Sequence, residues 1–238
     1  MQAAQEQITS SQAELEAAVE EARREMKKIG NFYIQDDDSF FEYMHSSGFP
    51  MDGSIHREIL KSVPKGNAID VGAHVGIWSR QLTKKFDEVY AWEPIESNCE
   101  CLRQNVPDVK IFPFAAASKQ SKKFAKPDQE GNYGGYQLNE EEGEEVIVKV
   151  IDDFDFKNIT FIQMHIKGME YDALLGLERT IEKYLPTIVY QAYPHQLKQY
   201  GHSEEDIEVY LNSFGYKIES LQEFKSWDIT YRRTKLCL

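Results

Sequence analysis

The sequence predicts a Rossmann-like α/β fold: a doubly wound, mostly parallel sheet of seven strands, with helices on both faces and a helical extension at the amino terminus. Three observations carry this. From residue 66 onward, short apolar runs alternate with stretches of helical spacing, the pattern of repeated strand–helix units. A glycine turn, Asp70-Val71-Gly72-Ala73-His74-Val75-Gly76, follows the first of these runs, at the place where open α/β sheets bind ligands. Residues 1–30 differ from the rest, being rich in Ala, Glu and Gln and free of Pro.

Within residues 1–30, Leu15, Val19, Ala22, Met26 and Ile29 are spaced by three or four and form one apolar stripe of a helix. The stripe is shorter than the three or four heptads of a coiled coil. Such a helix either lies on the body of the protein or joins two copies into a homo-oligomer. Residues 31–65 read as a helical and loop lead-in. Asp36-Asp37-Asp38 opens an aromatic run, Gly48, Pro50 and Gly53 punctuate it, and Pro64-Lys65-Gly66 closes a short helix.

The α/β domain occupies residues 66–238. Residues 68–71 form its first strand, and Val75, Trp78, Leu82 and Phe86 its first helical stripe. Residues 89–92 form the second strand, followed by the stripe Ile95, Cys99 and Leu102. The third strand covers 109–115, the fourth 159–166 and the fifth 186–191. One long helix is expected through Leu174, Leu177, Ile181 and Leu185. Ser203 with Asp206 caps a later helix. Strands over 216–221 and 227–236 complete the chain. Residues 118–150 interrupt the alternation and read as an excursion near the carboxyl edge of the sheet, its glutamate run a solvated turn and its end, 146–151, a strand.

Composition narrows the function. The 238 residues suffice for one domain with an appendage. Lys and Arg number 27 against 40 Asp and Glu, a net charge of −13, which argues against nucleic acid as a partner. No run approaches the roughly 20 apolar residues of a membrane helix, so no membrane partner is expected. Met1 to Ser10 carry no basic start and no apolar run, and the three cysteines, Cys99, Cys101 and Cys237, are an odd and sparse set. Both features point to a cytoplasmic protein with reduced thiols. No cysteine–histidine pattern calls for a metal.

Two nucleotide readings compete at the glycine turn. A dinucleotide site wants G-x-G-x-x-G, and only G-x-x-x-G is present, with His74 in its middle. A site for S-adenosylmethionine needs an acidic residue at the strand end before a glycine turn, which Asp70 supplies. Glu93 ends the second strand 23 residues after Asp70, where a carboxylate can accept hydrogen bonds from both ribose hydroxyls. Dinucleotide enzymes share that device, so an oxidoreductase remains a weaker alternative.

The chain resembles the FkbM-type methyltransferases over about residues 66–221. The resemblance rests on Ile69 to Gly76, on Trp92-Glu93-Pro94 followed by Asn98 and Asn105, and on Ala115-Ala116. It continues through Val150 to Phe154, Ile162 to Glu170, and Pro186 with Ile188-Val189. It implies a class I S-adenosylmethionine-dependent fold that methylates a hydroxyl of a sugar or other small metabolite. It further implies a cofactor set in which Gly72, His74 and Gly76 face the methionine part and Glu93 holds the ribose. Asn98 and Ala115 lie near the adenosine, and Asp70 and Pro94 complete the set. The family pattern Lys-Ile-Asp-Val-Glu-Gly-x-Glu reads here Gln163-Met164-His165-Ile166-Lys167-Gly168-Met169-Glu170. His165, Lys167 and Glu170 are therefore the candidate catalytic residues. His165 either takes the acceptor's proton or fills the sheet edge, and Lys167 either binds an anionic acceptor group or pairs with Glu170. The two acid-to-base exchanges also leave open a protein that binds the cofactor without catalysis. His195 and His202, after the fifth strand, have no partner evident in the sequence.

Overall fold

The structure, a computed structural model, describes residues 26–49, 54–224 and 229–236. The described chain enters through an antiparallel hairpin, β1 (Met26–Ile29) and β2 (Phe32–Gln35), turned at Gly30 with φ +58. Gly30-Asn31 is a two-residue connection of the kind that suits a tight hairpin. This corrects the helix expected through residue 30: Met26 and Ile29 pack as strand residues around Phe32, Ile34 and Phe41. The rest of that helix, residues 1–25, lies outside the described residues. It also corrects the lead-in, where Phe32–Gln35 is a strand. Asn105 holds it there, accepting from the Tyr33 N–H at 2.7 Å and donating to the Tyr33 carbonyl at 2.8 Å. Two helices follow, α1 (Ser39–Ser46) and α2 (Ser54–Leu60).

The alternation then begins: β3 (Asn67–Val71), α3 (Ser79–Leu82), β4 (Glu88–Trp92), α4 (Glu96–Asn105) and β5 (Lys110–Phe112). The strand expected over 109–115 is divided, because its end leaves the main sheet. β6 (Ala115–Ala116) joins β7 (Ser121–Pro127), β8 (Tyr136–Asn139) and β9 (Glu144–Lys149) in a separate four-stranded sheet ordered β6-β9-β7-β8. The excursion is thus a small sheet, and Glu140 to Glu142 form its exposed turn.

A short 3₁₀ turn (Ile151–Phe154) leads to β10 (Ile159–Met164). Next come α5 (Glu170–Leu175), α6 (Glu178–Tyr184), β11 (Thr187–Tyr190), α7 (Pro194–Gln199) and α8 (Glu204–Ser213). The expected long helix is two helices: the Gly176 carbonyl accepts from the Asp152 N–H at 3.0 Å, and the Asp152 carboxylate accepts from the Arg179 and Thr180 N–H groups at the start of α6, while a Cβ at Gly176 would lie 2.4 Å from the Ala117 carbonyl oxygen. Ser203 and Asp206 form the expected reciprocal cap of α8. β12 (Tyr216–Phe224) and β13 (Ile229–Leu236) end the described chain.

The large sheet has the order β12-β13-β11-β10-β3-β4-β5. From β5 to β11 the neighbours are parallel, while β13 runs antiparallel to β11 and to β12. Side chains alternate across it, as the strand pleat requires. Ile69, Val71, Tyr90, Trp92, Ile162 and Met164 face one core with Leu174, Ile181, Ile207 and Leu211. Ala68, Val89 and Phe161 face the other with Ile59, Trp78 and Leu82, and Ala91 packs on Leu102 and Val106. Both faces are therefore covered by helices, and the carboxyl ends of β3, β4 and β10 open between the small sheet and α1.

Candidate active site

The chain leaves β3 through Gly72, whose N–H donates to the Trp92 carbonyl at 2.8 Å. Gly72 has φ +81, and a Cβ there would lie 2.4 Å from the His165 carbonyl oxygen. Only glycine meets both demands. His74 is also left-handed, with φ +50, and its N–H donates to Glu93 Oε2 at 2.8 Å. Glu93 Oε1 accepts from the Ile95 N–H and from Asn98 Nδ2, both at 3.1 Å. Oε1 is thus saturated, while Oε2 keeps room for one more donor. Burial pushes the Glu93 carboxyl up to about 7, against the lowering effect of those bonds.

Two cavities meet at this turn. One, of about 600 Å³, is lined by Gly72, Glu93, Asn98, Ala115, Tyr133 and Tyr136 among others. The other, of about 1080 Å³, lies under α1 and is lined by Asp38, Phe41, Trp78, Gln191 and Tyr193 among others. Gly72, His74, Gly134, His165 and Lys167 border both.

Of the residues expected at the cofactor, Gly72, His74, Glu93, Pro94, Asn98 and Ala115 line the smaller cavity. Two do not, which corrects their expected contact. Asp70 is fully buried behind the turn, and its Oδ2 accepts from the Ser79 hydroxyl at 2.5 Å. Burial pushes it up to about 7. Gly76 is a packing glycine, since a Cβ there would meet Leu102 at 2.7 Å and Val106 at 2.9 Å.

The expected catalytic stretch bends sharply past β10. Lys167 has φ +56 and Gly168 φ +105. Glu170 holds this bend, accepting from the Ile166 and Gly168 N–H groups at 2.9 Å each. It is completely buried, lines neither cavity, and burial pushes it up to about 7. Its expected catalytic placement is corrected accordingly: it positions the loop. His165 and Lys167 do face the cavities. Lys167 Nζ lies 3.3 Å from His165 Nε2. Burial foremost, then the Lys167 charge, then His74, pull His165 well below its usual value. Burial also lowers Lys167, with Asp128 and Glu170 opposing. His202 sits 3.5 Å from Asp172, outside both cavities.

Several lining residues escaped the sequence reading. Phe114, Tyr133, Gly134 and Tyr136 come from the excursion and its entry, and Asp38 from the lead-in. Tyr133-Gly134-Gly135-Tyr136 was the available signal, a glycine pair between aromatic residues.

The sheet order, with its antiparallel strand beside β11, and the carboxylate-bearing cavity at the carboxyl edge define a class I methyltransferase fold. A methyltransferase FkbM domain matches residues 70–218, more than half of the chain, and the chain belongs to that family. Among solved structures it is similar to a methyltransferase FkbM from Methylobacillus flagellatus KT. The identity is 22%, the TM-score 0.55, and the match covers 81% of this chain and 50% of that one. This chain therefore spans about half the length of that relative. It is also similar to a ribosomal protein L11 methylase from Lactobacillus delbrueckii subsp. bulgaricus, with 14% identity, a TM-score of 0.43, and 81% and 79% of the two chains covered. A protein from Streptococcus mutans in complex with S-adenosylhomocysteine gives 12%, 0.48, 76% and 96%. No curated protein matches the chain.

The family's cofactor is S-adenosylmethionine. The residues present fit it. Glu93 offers a buried carboxylate oxygen with room for a ribose hydroxyl, and the Gly72 turn brings bare backbone to the same cavity.

Proposed function

We propose that the protein is an S-adenosylmethionine-dependent O-methyltransferase acting on a hydroxyl of a sugar or other small metabolite. The observation that supports it is the shared wall. A cavity suited to the cofactor and a larger one suited to an acceptor meet at Gly72, His74, Gly134, His165 and Lys167. Bound, S-adenosylmethionine supplies a methyl group on a sulfonium for in-line transfer to an oxygen. The chain's own task is alignment and exclusion of water, and good alignment contributes roughly 7–11 kcal/mol. Glu93 anchors the ribose and Asn98 steadies Glu93. The bend held by Glu170 sets His165 and Lys167 at the junction, where His165 stays a neutral imidazole. A cytoplasmic location, and self-association through the residues before 26, belong to the same proposal. No helix of the described residues is long and apolar enough to cross a membrane.

Incubation with methyl-labelled S-adenosylmethionine and a panel of sugars, phenols and hydroxy acids tests the proposal. Label on oxygen, located by mass spectrometry, is the expected result, and label only on nitrogen or carbon overturns it. A second reading, cofactor binding without turnover, has one observation in its favour: Lys167 Nζ stands at the His165 nitrogen that a general base would use. Tight S-adenosylhomocysteine binding with no transfer across the panel favours that reading.

A further inference from the structure

The larger cavity holds a pair of buried polar atoms without hydrogen-bond partners among the described residues. Asp38 caps α1, its Oδ1 accepting from the Phe41 N–H at 2.8 Å. Its Oδ2 has no hydrogen-bond partner among the described residues, although Asp38 is only 1% exposed. His74 Nε2 is likewise buried and without a hydrogen bond, and stands 3.9 Å from that oxygen. Both residues line the cavity. That separation is too long for a hydrogen bond, but one oxygen atom can sit about 2.8 Å from each. A buried carboxylate oxygen without a donor is costly, so the arrangement calls for a ligand that brings one.

The surroundings limit the donor. Lys167 borders the same cavity, and its ammonium opposes a second cation. Phe40, Phe41, Met44, Phe49 and Ile77 make the wall largely apolar. Such a wall suits a ring with few polar groups.

Building on the methyltransferase reading above, we propose that Asp38 and His74 seat the acceptor's hydroxyl, and that the acceptor is a neutral aromatic or alicyclic hydroxy compound. Asp38 Oδ2 accepts the hydroxyl hydrogen, and His74 Nε2 faces the hydroxyl oxygen. As that oxygen bonds to the methyl carbon, the carbon–sulfur pair stays on sulfur and the proton passes to Asp38. Burial pushes Asp38 up to about 6, so it is ionised at neutral pH and holds a proton better than an exposed aspartate. Burial likewise pulls His74 down to about 3 and keeps it neutral. His74 also ties this site to the cofactor side, through its N–H on Glu93.

The test uses naphthol and its methyl ether as probes, with the protein saturated by S-adenosylhomocysteine and binding read by calorimetry. Wild type binds naphthol about tenfold or more tightly than the ether, the range of a buried hydrogen bond to a charged group. Asp38→Asn and Asp38→Ser both keep a good helix cap, which preserves folding, checked by thermal melting. In both, the preference falls below about threefold while S-adenosylhomocysteine affinity is unchanged. Equal binding of the probes to wild type, no binding of either, or a preference that survives both substitutions overturns the proposal alone. Absence of S-adenosylhomocysteine binding, measured first, overturns the reading on which it rests.

Discussion

Glu93→Gln tests the cofactor site through pH. The Glu93 carboxyl sits at about 7 in the free protein, and a ribose hydroxyl bonds best to the ionised form. At pH 6 about one carboxyl in eleven is ionised, and at pH 8 about ten in eleven. If the complex keeps Glu93 ionised, S-adenosylhomocysteine affinity rises about tenfold from pH 6 to pH 8, or about 1.4 kcal/mol. Stability responds with the opposite sign. A folded value near 7 above an ordinary 4.5 means the native state keeps a proton that the unfolded chain has released. Stability therefore falls as pH rises between those values. Asp70 and Glu170 are raised in the same way and add to the stability slope; Glu170 lines no cavity and adds nothing to the affinity slope, while Asp70, which the Glu93 charge helps to raise, enters it only through Glu93. Glutamine removes the ionisation and keeps the shape. Its amide hydrogens must face either the His74 N–H or the pair Ile95 N–H and Asn98 Nδ2. Asn98 cannot turn to help, because its Oδ1 already accepts from Gln35 and its Nδ2 donates to the Tyr133 carbonyl. The variant should lose about 1–3 kcal/mol of stability for that conflict. Calorimetric titration at pH 6, 7 and 8 on both proteins makes the measurement, and the ligand's own ionisations cancel between them. A flat wild-type profile, or a slope retained in Glu93→Gln, refutes the assignment.

Three further outcomes are expected. Gly72→Ala, which forces a Cβ to within 2.4 Å of the His165 carbonyl at φ +81, should lower stability by about 2 kcal/mol or more in urea denaturation, and a variant as stable as wild type would contradict the turn described. Glu170→Gln should cost about 1–3 kcal/mol of stability while S-adenosylhomocysteine affinity stays within about threefold; lost turnover at unchanged stability would return Glu170 to the catalytic group. Lys167→Met should raise the His165 pKa, followed by NMR of the imidazole, yet leave it below 6.5 because burial is the larger cause; no upward movement would mean that the Lys167 charge is not felt there.

The elements with strong local signals were legible in the sequence. The apolar runs at 68–71, 89–92 and 186–191 correspond to β3, β4 and β11, and Ser203 with Asp206 caps α8. What escaped depends on contacts made at long range. Met26 and Ile29 have helical spacing to Leu15 and Val19, yet Asn105 and the Gly30 turn hold them in a hairpin. The helix parts at Gly176, where Asp152, 24 residues earlier in sequence, bonds to the Gly176 carbonyl and to the N–H groups of Arg179 and Thr180. Asp36-Asp37-Asp38 looks like a uniform turn signal, but only Asp38 turns an oxygen into a cavity, across from a histidine 36 residues later.

The buried carboxylates show why motif residues could be located in the sequence more easily than their roles could be assigned. Asp70, Glu93 and Glu170 all lie at or beyond the carboxyl ends of strands, Glu170 at the start of α5, and burial raises each to about 7. Neither position nor titration separates them. The direction in which their remaining lone pairs open does. Glu170 uses each of its oxygens on the bend it supports and borders neither cavity. Asp70 spends one on Ser79, and its other oxygen opens on neither cavity. Glu93 spends one oxygen fully and half of the second, and it borders the cofactor cavity. A short motif records what the loop needs as well as what the ligand needs. The two are told apart only when each lone pair can be followed to its donor.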